Sequence, residues 1–332
     1  MPHDGAIERR KLRKAEVESF PILRSPGGRA RRVVNGKTRP VSEQDARRIE
    51  KLVIPPAWRD VRISADPRSH IQAVGRDEAG RRQYIYHQEW EAVRSAEKAL
   101  RLRRLIRALP RIRRTIARDL DHSGNRRVLA TAARLVDRLC LRAGHEEYAG
   151  EESGRGAATL LCKHVQVEQD TVELDFPGKG KRRIVTSLTD AKVARNVREA
   201  RGIRGSRLFK LKSGQSHRNM TANDLNSYLA RIAKCDISAK DFRTLRASSL
   251  AIVDLQTNPA ETATARRRIL AKTCRDISAV LCNTPAVVRK SYIHSPVIAQ
   301  YEEGNLTGMR AGTALPLCTQ AESLLLAFLR RR

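Results

Sequence analysis

The sequence predicts an α+β protein: a small β-rich N-terminal domain and a larger, mainly helical domain that carries a small antiparallel sheet of its own. Three observations lead there. Short alternating segments bounded by Gly, Pro and Asn fill the chain before Trp90, whereas apolar residues at helical spacing dominate after it. Three further alternating segments between residues 164 and 186 interrupt the helices. At 332 residues the chain is long enough for two domains or one large one, and either could bury a proper core. We place the boundary in a linker at residues 88–94, separating a domain of residues 27–90 from one of residues 91–332. Residues 1–26 are polar and basic, without periodicity, and are read as an arm of undefined structure ending at the break Ser25-Pro26-Gly27-Gly28.

In the first domain, residues 31–34 and 37–40 flank Asn35-Gly36, a dipeptide suited to a type I′ hairpin because both residues tolerate positive φ. Ser42-Glu43-Gln44-Asp45 resembles a capping box that opens a short helix to about Leu52. Residues 61–64, 70–74 and 81–87 read as strands. On the last of them, alternation puts Tyr84 and Tyr86 on one face and Gln83 and Ile85 on the other. Spacing alone favours a core role for the two tyrosines; a nucleic-acid-contacting platform is the alternative.

The second domain opens with Leu102, Leu105, Leu109, Ile112, Ile116 and Leu120 in a helical stripe, which Pro110 is expected to divide into two helices. A helix over residues 128–141 should end at Arg142-Ala143-Gly144, with the glycine as cap and Arg142 at the terminus. There an arginine can simply complement the helix dipole. The strands at residues 164–168, 171–176 and 182–186 follow, the last turn being Pro177-Gly178-Lys179-Gly180-Lys181. A lysine at such a tip can touch a phosphate or deliver a proton, or merely be solvated. The Gly/Lys spacing is not that of a triphosphate-binding loop. Helices are expected over residues 189–201, 221–232, 239–255, 260–281 and 321–332. On the third of these, Lys240 and Arg243 are three apart and share a face that could grip one phosphate. Thr284-Pro285 reads as an N-cap and first-turn proline opening a helix that carries Arg289, Lys290 and Tyr292. Cations beside a tyrosine favour its phenolate, which can attack phosphorus; a half-buried aromatic is the plainer reading.

Charge narrows the partners. Lys and Arg number 66 against 36 Asp and Glu, a formal +30 spread along the whole chain, which argues for a polyanion and first for nucleic acid. Apolar runs fall far short of a bilayer span and no signal peptide is recognisable, so a soluble intracellular protein is expected. The six cysteines form no CxxC pair and the eight histidines no HxxxH, so no metal site is expected and the thiols are read as reduced.

Six blocks, VIPPAW (53–58), GRRQYIY (80–86), LRAGHEEY (141–148), FPGKGK (176–181), KDFRT (240–244) and NTPAVVRKSY (283–292), stand in the order found in the type IB DNA topoisomerases, and the chain resembles the compact poxvirus-like enzymes of bacteria over residues 54–298. The resemblance implies two domains closing as a clamp around duplex DNA, one chain sufficing, in the cytoplasm at the nucleoid. It implies Tyr292 as the nucleophile that forms a 3′-phosphotyrosyl link, Arg142 and Arg243 as donors to the nonbridging oxygens, and Lys179 as the acid for the leaving 5′ oxygen, with Lys181 as its neighbouring rival. The family uses neither ATP nor a metal, so no cofactor is expected. It also moves Gln83, Tyr84 and Tyr86 from core to DNA interface and adds Tyr148 and Lys240 as DNA contacts. His145 stands where poxvirus members carry a base-contacting lysine.

Many members have histidine nine residues before the tyrosine, where this chain has Asn283; an amide can donate to a phosphoryl oxygen but cannot carry charge or exchange protons near neutrality. Asn283 and Tyr292 can meet only if the intervening chain bends. Two other readings compete. A tyrosine recombinase shares the Arg, Lys, Arg, Tyr chemistry but typically has histidine where Lys240 precedes Arg243. A basic architectural protein would bind DNA without cutting it, and would not require the set of Arg142, Lys179, Arg243 and Tyr292.

Overall fold

The computed structural model describes residues 12–25, 29–148, 154–180 and 182–331. Its contacts divide the chain into two compact units, residues 1–94 and 95–332.

The first unit is built on an antiparallel sheet of β1 (Ile22–Arg24), β2 (Ala30–Val34), β3 (Lys37–Pro40), β4 (Arg59–Ile63), β5 (Ile71–Arg76) and β6 (Arg82–Tyr86), in the order β3-β2-β1-β4-β5-β6. The β2–β3 turn has positive φ at both Asn35 and Gly36, as the dipeptide predicts. Helix α1 (Glu43–Glu50) starts at Ser42, whose side chain accepts from the Asp45 amide. Ile22, Val61, Ile63 and Ala73 form the buried centre, with Ile49, Leu52, Trp58 and Ile85 packed against it. Two expectations need correction here. The segment before residue 27 is not a featureless arm throughout, because β1 lies in the interior of the sheet with Ile22 fully buried. Three residues are too short to show a period. Nor are Tyr84 and Tyr86 core: Ile85 takes the core face, so alternation sends both tyrosines to the other side.

Helix α2 (Trp90–Asp119) starts in the first unit and runs on as the first element of the second, followed there by α3 (Gly124–Leu139) and the sheet β7 (Val165–Glu168), β8 (Thr171–Pro177) and β9 (Arg183–Thr189). Helix α4 (Ala191–Arg201), the hairpin β10 (Lys210–Ser213) and β11 (Ser216–Asn219), then α5 (Ala222–Ala233), α6 (Ala239–Thr257) and α7 (Ala263–Leu281) come next. The turn α8 (Pro285–Val287), α9 (Ser295–Glu302) and α10 (Gln320–Arg330) complete it. One apolar core runs through these elements, including the Leu102 to Leu120 stripe, Phe176, Leu245 and Phe328.

Pro110 does not divide α2. The Ile106 carbonyl that it deprives of a partner lies 3.9 Å from the Cys318 thiol, and Arg114 Nε donates to the Pro110 carbonyl at 3.1 Å. The helix is also pinned from inside by Arg113, which pairs with Asp137 of α3 at 2.9 Å and with Glu322 of α10 at 2.7 Å. All three side chains are nearly buried, so removal of Arg113 would leave both carboxylates without their shared cation. Among the described residues no helix is long and apolar enough to cross a membrane.

Candidate active site

Helix α3 ends earlier than expected. Cys140, not Gly144, takes the left-handed capping conformation, at φ 55°, so Arg142 lies beyond the helix, outside any regular element. Its backbone is fixed by a crossing segment: the Ala157 and Ala158 amides donate to the Arg142 and Ala143 carbonyls, both at 2.8 Å. Glycine makes that crossing feasible, since a Cβ on Gly156 would sit 2.5 Å from the Arg142 carbonyl oxygen. The same segment receives the β8–β9 hairpin. The Arg155 amide donates to the Pro177 carbonyl at 2.8 Å, and a Cβ on Gly154 would lie 2.2 Å from the Lys179 nitrogen.

Arg243 comes from the first turn and a half of α6. That helix starts at Ser238, whose amide and hydroxyl both donate to Asp241 Oδ2. Arg101 of α2 then clamps Asp241 with two hydrogen bonds of 2.9 and 2.8 Å and reaches Asp236 with a third. Burial pushes the Asp241 carboxyl up, but the Arg101 guanidinium and the Ser238 bonds outweigh it and hold the group below its usual value. The start of the helix is thereby locked, and with it the direction of Arg243.

Arg243 is 3% exposed and ties three parts of the fold together. Nη1 donates to the Cys140 carbonyl, Nη2 to the Leu281 carbonyl at 2.7 Å and Nε to the Tyr292 hydroxyl at 3.3 Å. Its guanidinium carbon stands 5.0 Å from the centre of the Tyr292 ring.

The segment bearing Tyr292 begins as predicted, with the Thr284 hydroxyl accepting from the Val287 amide and Pro285 in the first turn. It does not continue as an α-helix. Residues Val288–Tyr292 form a π-turn in which the Ile293 amide reaches the Val288 carbonyl at 3.0 Å, a local widening that frequently marks functional sites. Sequence neighbours were expected to polarise the phenol, yet Arg289 is paired with Glu302 at 2.9 Å. The cations that act on Tyr292 come from elsewhere. Burial pushes its hydroxyl up, but Arg243, Arg142 and the Asn283 amide together more than offset this and lower it below the ordinary tyrosine value.

Asn283 is brought to this place by Cys282, which caps α7 in the left-handed region at φ 47° and supplies the required bend. Its Oδ1 accepts from Arg142 Nη2 at 2.8 Å, while its buried Nδ2 has no hydrogen-bond partner of good geometry. Burial and the nearby Arg243 charge lower the Arg142 pKa, with the Tyr292 hydroxyl acting in the opposite direction.

Arg142, Lys179, Arg243 and Tyr292 all line one cleft of about 640 Å³, together with His145 and Lys240. Arg155, Asn226 and Ser238 line it too, although no sequence signal singled them out. Asn226 caps α6 by accepting from the Ala239 amide, a tertiary contact that no motif announces. None of the described lining residues is acidic, so the cations have no internal counter-ion and the cleft suits an anion. The side chain of Tyr148, and Lys181, lie outside what the structure describes.

In the first unit, Tyr84 and Tyr86 lie 6.1 Å apart, Tyr86 stacks on Trp90 at 6.1 Å, and Arg82 sits 5.8 Å from the Tyr84 ring. Tyr86 is 44% exposed. Gln83, on the opposite face, donates to Asp77 at 2.9 Å.

A tyrosine with a lowered pKa, two guanidiniums and a lysine around an acid-free cleft can carry out nucleophilic displacement at phosphorus. Comparison with known proteins agrees with that class. Residues 87–311 match the catalytic core of eukaryotic DNA topoisomerase I, and residues 33–77 match the N-terminal domain of bacterial DNA topoisomerase IB. The chain is 30% identical over 273 residues to the DNA topoisomerase 1B of Acanthamoeba polyphaga mimivirus, covering 79% of this chain and 81% of that protein. It is 23% identical over 240 residues to the vaccinia virus (strain Copenhagen) DNA topoisomerase 1B, covering 70% and 73%, respectively. It is 30% identical over 204 residues to Drosophila melanogaster DNA topoisomerase 1, covering 57% of this chain and 20% of that protein. The chain belongs to the type IB DNA topoisomerase family.

Proposed function

We propose that this protein relaxes supercoiled duplex DNA by cutting one strand, letting it rotate about the other, and resealing it. The convergence of Arg142, Lys179, Arg243 and Tyr292 in a cleft without carboxylates supports this reading best. The Tyr292 oxygen gives up its proton to water and attacks the scissile phosphorus; a phosphotyrosyl bond forms at the 3′ end and the bond to the 5′ oxygen breaks. Lys179 gives that oxygen its proton. Arg243 has five N–H groups, three of them engaged in the fold, and the remaining two can donate to the nonbridging oxygens as their charge grows. Arg142 donates as well, held by Asn283, whose buried Nδ2, without a hydrogen bond of good geometry, is a further donor for a phosphoryl oxygen. Resealing is the reverse displacement, so the phosphotyrosine conserves the bond and the reaction needs no nucleotide.

Lys240 and His145 in the cleft, with Gln83, Tyr84, Tyr86 and Tyr148, are proposed DNA contacts. The two units are proposed to close around the duplex as a clamp, with a single chain sufficient. Lysine rather than histidine at position 240 favours this reading over a recombinase. The test is relaxation of supercoiled plasmid in EDTA without ATP, with denaturant-quenched samples probed for protein joined to the 3′ end. Tyr292→Phe should abolish the adduct and relaxation while leaving duplex binding largely intact, because one oxygen is lost from a large electrostatic interface. Relaxation by the Phe variant would sink the assignment. Binding with neither product from the native chain would point to the architectural reading.

A further inference from the structure

We propose that Arg182 is a positioning residue that fastens the hairpin carrying Lys179 to the segment leading into Tyr292. Lys179 lies at the exposed tip of the β8–β9 turn, and the turn closes when the Gly178 amide donates to the Arg182 carbonyl at 2.7 Å. From the same residue the guanidinium reaches 101 positions along the chain, where Nη1 donates to the Asn283 carbonyl at 2.6 Å. Asn283 is itself held by its neighbours: its amide donates to the Ser278 carbonyl at 3.0 Å, and its side chain accepts from Arg142. Arg182 therefore connects the hairpin to the residue that bridges Arg142 and the tyrosine turn.

A tie is needed because of the chemistry at the tip. A proton donor must sit within hydrogen-bond reach of the leaving oxygen, and a displacement of about 1 Å can lower a rate about 100-fold. Hairpin tips are the mobile ends of sheets, and this one projects a flexible lysine into an open cleft. On one side the tip rests against Gly154. On the side of the nucleophile, Arg182 supplies a charge-assisted hydrogen bond to a backbone atom, a contact that does not depend on the side chain at position 283. When Arg182 is engaged, the donor and the nucleophile are referred to the same segment of chain.

The inference rests on Lys179 acting as the acid, and the experiment separates the two claims. Single-turnover cleavage is measured on a duplex with the ordinary 5′ bridging oxygen and on one with sulfur in that place. In the second, the Tyr292 oxygen forms its bond to phosphorus, the P–S bond breaks, and the electron pair leaves on sulfur as a thiolate that needs no proton. Lys179→Ala should be slow on oxygen and restored on sulfur. Arg182→Ala should follow it: about 100-fold slower on oxygen, within a few-fold of the native protein on sulfur, and no further loss when combined with Lys179→Ala. Arg182→Lys, which retains an exposed donor on a long side chain, should recover most of the oxygen rate. Equal losses on both substrates, an additive double variant, or a Lys variant as slow as the Ala variant would overturn the role of Arg182 while leaving the acid assignment standing. A Lys179→Ala protein that sulfur does not restore would remove the acid assignment and this inference with it.

Discussion

Replacing Arg243 by lysine keeps the charge and removes donors, which makes it a sharp test of how the site is built. Three N–H groups of Arg243 serve the fold, on the carbonyls of Cys140 and Leu281 and on the Tyr292 hydroxyl, and two are left for phosphate. A lysine ammonium has three donors in all and no planar fork. If they stay on the carbonyls and the phenol, none is left for the transition state; if two turn to phosphate, to replace the two free N–H groups of Arg243, the one remaining donor cannot serve both carbonyls and at least one is stranded. Loss of one transition-state donor costs about 10²–10³ in rate, and an unpaired buried carbonyl about 1–3 kcal/mol of stability. Arg243→Lys should therefore slow single-turnover cleavage by about 10²–10³ and lower the unfolding free energy in urea by about 1–3 kcal/mol, with duplex affinity at low salt little changed. Cleavage at the native rate would refute this account, because it would mean that charge alone, not the arrangement of N–H groups, does the chemistry.

Two other perturbations act on neighbouring parts of the site. Gly154→Ala would place a Cβ 2.2 Å from the Lys179 nitrogen and 2.4 Å from its Cα; the tip must retreat by about 1 Å, so oxygen-substrate cleavage should fall about 100-fold, and an unchanged rate would show that the crossing segment yields instead. The lowered pKa of Tyr292 has a sign that can be read from a pH profile. Below that pKa the phenolate fraction grows with pH, so cleavage should rise and level off below the ordinary tyrosine value of about 10. Arg142→Ala removes one of the charges that lower it, so the plateau should move to higher pH; a profile that stays in place or moves downward would contradict the electrostatic account.

What could be read in advance divides along the range of the interactions. The Asn35-Gly36 turn, the Ser42 cap, the Thr284-Pro285 start and the three-stranded sheet rest on residues a few positions apart, and the structure has each of them. The misreadings depend on contacts between distant residues. The signal of Pro110 is overridden by packing on both sides of α2 and by donors from Cys318 and Arg114. Gly144 looks like a helix cap because glycine tolerates positive φ, but that freedom serves its close crossing with Gly156, while Cys140 caps the helix. The residues of the candidate site were legible through their motifs, but not the source of the field on Tyr292. Arg289 and Lys290 are its neighbours in sequence, whereas Arg142 and Arg243, brought in from other elements, lower its pKa.

Asn283 shows how such a long-range contact changes the meaning of a substitution. Read along the chain, asparagine in place of histidine is the loss of a charged donor. In the fold its Oδ1 is an acceptor for Arg142, a bond that a protonated imidazole could not accept and whose second cation would press against the guanidinium. The amide thus supplies both functions at once, an acceptor that holds Arg142 and a buried Nδ2 that acts on the Tyr292 phenol without a hydrogen bond of good geometry. An incoming phosphoryl oxygen would satisfy that donor, and its contribution would not vary with pH near neutrality. At position 283 asparagine therefore puts no titrating group beside Tyr292 while retaining a donor, and the response to pH is read from the lowered phenol of Tyr292.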